Sequence, residues 1–122
     1  MEQQMNAKGR NLLKETTDRL LAKMPALPLA ITPEELHAAI ITFRKARNTL
    51  SKTRNKVPHP VVVERVAVSA HMIAVARAAE GKHQISAPFA GVAALFYGAM
   101  KNPQKTTSRK LSALIFEFMG GT

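Results

Sequence analysis

The stretch from Val61 to Ala79, VVVERVAVSAHMIAVARAA, constrains the fold more than any other part of the chain. Its apolar residues occupy nearly every face of a helix, and such a segment in a soluble protein belongs in the middle of a bundle. The first half, VVVERVAV, is rich in β-branched residues and suits a strand. The run into SAHMIAVARAA is too long for one and rich in alanine, so a helix is expected. Glu80-Gly81 supplies its stop. Glu64, Arg65, His71 and Arg77 share no single face, so this helix should touch neighbours on most sides and carry its charges at edges.

Four further helices are expected around it. From Asn6 to Met24 the spacing of Leu13, Thr17, Leu20, Leu21 and Met24 marks one apolar face, and Pro25 ends the helix. Pro28 keeps the next few residues extended, with Leu27, Leu29 and Ile31 directed at the core. Thr32-Pro33-Glu34-Glu35 combines an N-cap hydroxyl, a proline at the first helical position and a glutamate that closes a capping box. The helix it opens buries Leu36, Ala39, Ile40, Phe43 and Leu50. From Ser51 to Pro60 the composition turns to Ser, Thr, Asn, Lys and Pro, which predicts a mobile loop.

After a connector at 81–84, Ser86 can cap a fourth helix with Pro88 in its first turn and Phe89, Val92, Ala93, Phe96 and Met100 on its buried face. Ala90, Gly91, Ala94 and Gly98 leave its other faces smooth enough for close helix packing. Asn102-Pro103 stops that helix. Thr106 or Thr107 starts the last one, with Leu111, Leu114, Ile115 and Phe118 buried and Gly120-Gly121 at its end. The fold class expected is all-α, a compact bundle of about five helices in a single domain over 1–122.

The charge balance bears most directly on function. Eighteen Lys and Arg against eight Asp and Glu give a formal net charge of +10. That exceeds the roughly 2 to 8 charges that solubility alone asks of a small domain, and a field of this sign favours polyphosphates or anionic surfaces. No run reaches the roughly 18 uncharged apolar residues of a membrane span, and the polar start MEQQMNAKGRN has no apolar signal core. A soluble, cytoplasmic protein with no membrane partner is therefore expected. Cysteine is absent, which removes disulfides, thiolate metal sites and cysteine nucleophiles together.

The cations fall in two acid-free segments. Between Leu36 and Val63 stand Arg44, Lys45, Arg47, Lys52, Arg54 and Lys56. Arg44, Lys45 and Lys52 point away from the apolar stripe, whereas Arg47 lies nearer to it and should bury its stem while presenting its tip. Ser51 and Thr53 add hydroxyls for phosphate contact. The segment from Gly81 to Phe116 holds Lys82, Lys101, Lys105, Arg109 and Lys110. The last three surround a helix start whose backbone amides and dipole suit a phosphate. Nucleic-acid contact through Arg44, Lys45, Arg47, Lys52, Arg54, Lys56, Lys101, Lys105, Arg109 and Lys110 follows.

Base-specific readout is less supported. The basic connector is too long for the turn of a helix-turn-helix, and Tyr97 and the five phenylalanines mostly sit at buried spacing, leaving few to stack on bases. His37, His59, His71 and His83 are not at metal spacing and each suits a surface or edge position, so no metal or cofactor is expected. Paired carboxylates, a phosphate-binding glycine loop and nucleophile motifs are all missing, so no enzymatic activity is expected.

Phe96-Tyr97-Gly98-Ala99, with Pro103 four residues on and then Arg109, Leu111 and Leu114 in a terminal helix, resembles the helical C-terminal part of the large subunit of type I-C CRISPR effectors. That part is also made separately in the family, as a small subunit. The resemblance spans 96–114 and implies a small helical protein that stacks in several copies along a ribonucleoprotein and supports RNA or DNA through basic side chains. The expected function is thus a non-catalytic, nucleic-acid-binding subunit of an assembly. The alternatives are a protein-binding modulator, such as a phage or plasmid-encoded inhibitor, and a small DNA-binding regulator.

Overall fold

The computed structural model describes residues 7–27, 30–101 and 106–119, which form five helices and no strand. These are α1 (Ala7–Ala22), α2 (Pro33–Lys52), α3 (Pro60–Ala79), α4 (His83–Lys101) and α5 (Ser108–Met119). The central apolar stretch is α3. It packs most extensively on α4, then on α2, and more lightly on α1, so it is covered on several sides at once. Val63, Val66, Ala67, Ala70, Ile73 and Ala74 are all buried along it. Around them Phe43 and Leu50 of α2, Val92 and Phe96 of α4, and Leu111 and Ile115 of α5 complete the core.

Local chemistry sets the helix ends. At α2 the Thr32 hydroxyl accepts from the Glu35 amide at 3.1 Å and the Glu35 carboxylate accepts from the Thr32 amide at 2.9 Å, the reciprocal pair of a capping box. Those hydrogen bonds also hold the Glu35 carboxyl below its ordinary pKa. At α3 the His59 ring nitrogen Nδ1 accepts from the Val61 amide at 3.1 Å, and Pro60 takes the first helical position, where no amide is needed. Gly81, with φ at +77°, reverses the chain after α3, and its amide and that of Lys82 close on the Ala78 and Arg77 carbonyls.

Several expectations are corrected. α2 continues through Ser51 and Lys52, and Thr53 caps it with amide bonds to the Thr49 and Leu50 carbonyls. The remaining connector is anchored: Pro58 is buried, and the carbonyls of Arg54 and Lys56 are both bonded to α5. α4 starts at His83, so Ser86 is inside it and caps nothing. Its buried hydroxyl instead donates to the Ala74 carbonyl of α3 at 2.7 Å, a tie between the two most closely packed helices. Pro88 stands in the second turn.

Side-chain placement differs from the spacing at three further positions. Met100 is exposed at the end of α4, and Gly98 has open space beside it, so it brings no partner close. Gly91 does: a methyl group there would collide with the Phe118 ring, which lies across it. Phe118 is nonetheless 41% exposed, since it covers the α4–α5 seam from outside. Asn6, Pro28, Leu29, Asn102, Pro103, Gly120 and Gly121 lie outside the described residues.

Candidate nucleic-acid interface

The two acid-free segments, remote in sequence, meet in the structure. The Arg109 amide donates to the Arg54 carbonyl at 3.0 Å, and the Ser108 amide donates to the Lys56 carbonyl at 2.9 Å. Beside them the Thr53 and Ser108 hydroxyls pair at 2.9 Å, with Ser108 fully buried. The end of α2 and the start of α5 are thereby clasped together, and Arg54, Lys56, Arg109 and Lys110 project as exposed side chains from one junction. Arg54 is further steadied by its Nε, which donates to the Ser51 carbonyl at 3.2 Å.

The clasp changes the chemistry expected of the α5 N-terminus. The Ser108 and Arg109 amides are used by the connector, the Lys110 amide meets the Thr107 hydroxyl at 3.4 Å, and the Leu111 amide meets the Thr107 carbonyl at 3.1 Å. All four amides of the first turn are therefore satisfied within the protein, and an anion here would be held by side chains alone. Thr53, expected to offer its hydroxyl to phosphate, is likewise part of the clasp.

From the clasp α2 and α5 run side by side in opposite directions. Thr53 lies beside Ser108 at one end, and at the other Met119 shares a cleft of about 340 Å³ with Ile40 and Phe43. Arg44, Arg47 and Arg77 also line this cleft. The Arg47 guanidinium carbon stands 5.7 Å from the centre of the Phe43 ring, a cation–π arrangement, and the residue is half-buried. Phe43 in turn meets Phe89 edge to face at 5.3 Å. Arg77 is bound to the Glu80 carboxylate at 3.0 Å, which draws that carboxyl below its ordinary pKa.

The predicted set divides accordingly. Arg44 and Arg47 flank the α2–α5 seam, and Arg54, Lys56, Arg109 and Lys110 surround its clasped end. Lys45 and Lys52 are exposed seven residues apart on a stripe of α2 turned away from Arg47, so they extend the basic surface outward. Lys101 is not brought to this group, since it lines a different cleft with Leu20, Lys23 and Tyr97. Lys105 lies outside the described residues. Among the described residues no carboxylate pairs with any of the six cations along the seam; the ion pairs join Lys14 to Asp18, and Arg77 and Lys82 to Glu80.

Arg65 is not part of this group either, since it lines a cleft with Glu35 and Glu64 between α2 and α3. Glu35 and Arg47 lie on opposite flanks of α2, so this cleft opens away from the seam. Phe116, a 63% exposed aromatic on α5, is a further residue of this surface outside the predicted set. Its separation of seven residues from Arg109, outside the Leu111–Ile115 stripe, was the available signal. No helix among the described residues is long and apolar enough to cross a membrane. No family model matches the chain, and neither a curated protein nor a solved structure gives a significant match to it.

Proposed function

We propose that this protein is a non-catalytic, basic helical subunit that binds the nucleic-acid backbone within a nucleoprotein assembly. The observation that supports this reading above others is the clasp, which unites Arg54, Lys56, Arg109 and Lys110 with no carboxylate among the described residues paired to any of them. Four cations gathered at one junction suit a linear polyanion, whose phosphates need positive charge at several points and no particular sequence. Attachment to other subunits, in several copies along a CRISPR-type ribonucleoprotein, rests on the resemblance over 96–114.

The test is charge removal at the clasp. Replacing Arg54, Lys56, Arg109 and Lys110 by Ala should weaken binding of RNA and DNA at low salt by at least about tenfold, because the side chains that would pair with phosphate are removed. Lys101→Ala, remote from the clasp, should leave it nearly unchanged. An equal effect per charge removed would indicate diffuse attraction to net charge, and no effect from either change would reject the reading. Recovery of the protein from nuclease-treated lysate bound to an acidic partner, free of nucleic acid, would favour a protein-binding modulator instead.

A further inference from the structure

Phe116 stands out among the aromatic side chains. Phe43 and Phe96 are buried, Phe89 and Tyr97 are partly buried, and Phe118 lies over Gly91, whereas Phe116 leaves 63% of its surface to solvent. Exposing a phenyl ring to this degree forfeits the stabilisation that its burial would bring.

Its position on α5 follows from its neighbours. Phe118 contacts α4, and Met119 lines the cleft bounded by Ile40, Phe43, Arg44 and Arg47 of α2, so the two flanks of α5 are identified. Phe116 is one turn before Met119 and is displaced from Phe118 by about 200° around the helix axis, which puts it on the α2 side. Arg109, seven residues earlier, shares that stripe to within about 20° and lies about 10 Å down the axis. The exposed α5 rim of the seam therefore carries a guanidinium and a free aromatic face, opposite Arg44 and Arg47 on α2.

This combination fits one chemistry better than the others. A duplex buries its base faces and offers an exposed ring nothing to stack on, whereas an unpaired strand presents both phosphates and open base faces. Building on the reading above, we infer that Phe116 is a stacking platform for an unpaired base of a single strand lying along the α2–α5 seam, with Arg109, Arg44 and Arg47 holding the flanking phosphates. The surface thereby prefers single-stranded to double-stranded nucleic acid.

The experiment compares the full chain with its Phe116→Ala and Phe116→Tyr variants, titrated with a single strand of roughly 15 nucleotides containing 2-aminopurine and with the matching duplex. For Phe116→Ala the single-strand affinity should fall about tenfold while duplex affinity stays constant. The Tyr variant should keep the affinity and the fluorescence change. A circular-dichroism melt confirms that the exposed substitution leaves the fold intact. Unchanged single-strand affinity in Phe116→Ala, alongside lost binding in the variant with Ala at Arg54, Lys56, Arg109 and Lys110, overturns the stacking role and leaves the backbone-binding reading standing. Absence of binding by the unaltered protein overturns both. Conversion of a dimer to a monomer by Phe116→Ala in sedimentation, with strand affinity unaltered, would assign the ring to self-association and likewise overturn the inference.

Discussion

His71 shows which part of a residue's setting its sequence context decides. It is 2% exposed inside α3, with Nδ1 3.0 Å from the Tyr97 hydroxyl and the two rings edge to face at 5.6 Å. Burial disfavours the imidazolium and lowers its pKa from the ordinary 6.5; burial, followed by the charge of Glu64, raises that of the Tyr97 phenol. The unfolded chain takes up a proton at His71 before the folded chain does. Its contribution is therefore complete above pH 6.5 and declines as the pH falls below that value. His71→Gln can retain a hydrogen bond to Tyr97 without titrating. The melting temperature of the unaltered protein should fall relative to that of the variant as the pH is lowered below 6.5. Parallel curves would show that another group is responsible. The apolar run around His71 sets it apart from His37 and His59 and accounts for its burial, whereas its hydrogen-bond partner, Tyr97, is twenty-six residues away on another helix and is not legible from that run.

At the scale of elements, short-range chemistry was legible and long-range chemistry was not. Thr32-Pro33-Glu34-Glu35 encodes its own cap, since each hydrogen bond spans only three residues. Ser86 has the composition of a cap, yet its hydroxyl is taken by Ala74, so the helix starts a turn earlier, where Gly81 lets the chain reverse. The end of α2 departs from its composition for the same reason: Ser, Lys and Thr look like a loop until the Thr53–Ser108 pair, fifty-five residues apart, holds them in place. Thr53→Val removes that pair at nearly constant shape. It should lower stability by about 1 kcal/mol, and more where the buried Ser108 hydroxyl finds no substitute. Amide hydrogen exchange at Ser108 and Arg109 should accelerate more than exchange in the middle of α3. Uniform acceleration throughout would mean that the clasp opens only when the whole protein does.

For the whole molecule, the all-α bundle followed from the apolar periodicities, and the cations of the candidate site from the bare charge pattern. What could not be read was the division of those cations. Arg54 and Arg109 are joined by a 3.0 Å backbone bond, Lys101 lies on another cleft, and Arg65 sits among acids, although all four look equivalent in a charge count. Periodicity identifies buried stripes and leaves an outward ring such as Phe116 without a role. Cations gathered in this way have a salt signature. The logarithm of the association constant for single strands should fall linearly with the logarithm of salt concentration, by about 0.7 for each phosphate neutralised. Replacing Arg54 and Arg109 together by Ala should reduce the slope by about 1.4, whereas Phe116→Ala should leave it unaltered. Anisotropy titrations across a salt series measure both, and an unchanged slope in the double variant would place the phosphates elsewhere on the protein.

The clasp between the connector and α5 also sets an order of events. A surface whose halves are fifty-five residues apart does not exist while the chain is only partly folded. Arg54 and Lys56 can be in place as soon as α2 and α3 pack, but Arg109 joins them only when the last helix docks. The bundle thus withholds its full grip on a polyanion until it is complete, and a half-made molecule holds its target with a few scattered charges. Strand affinity then reports that folding has finished.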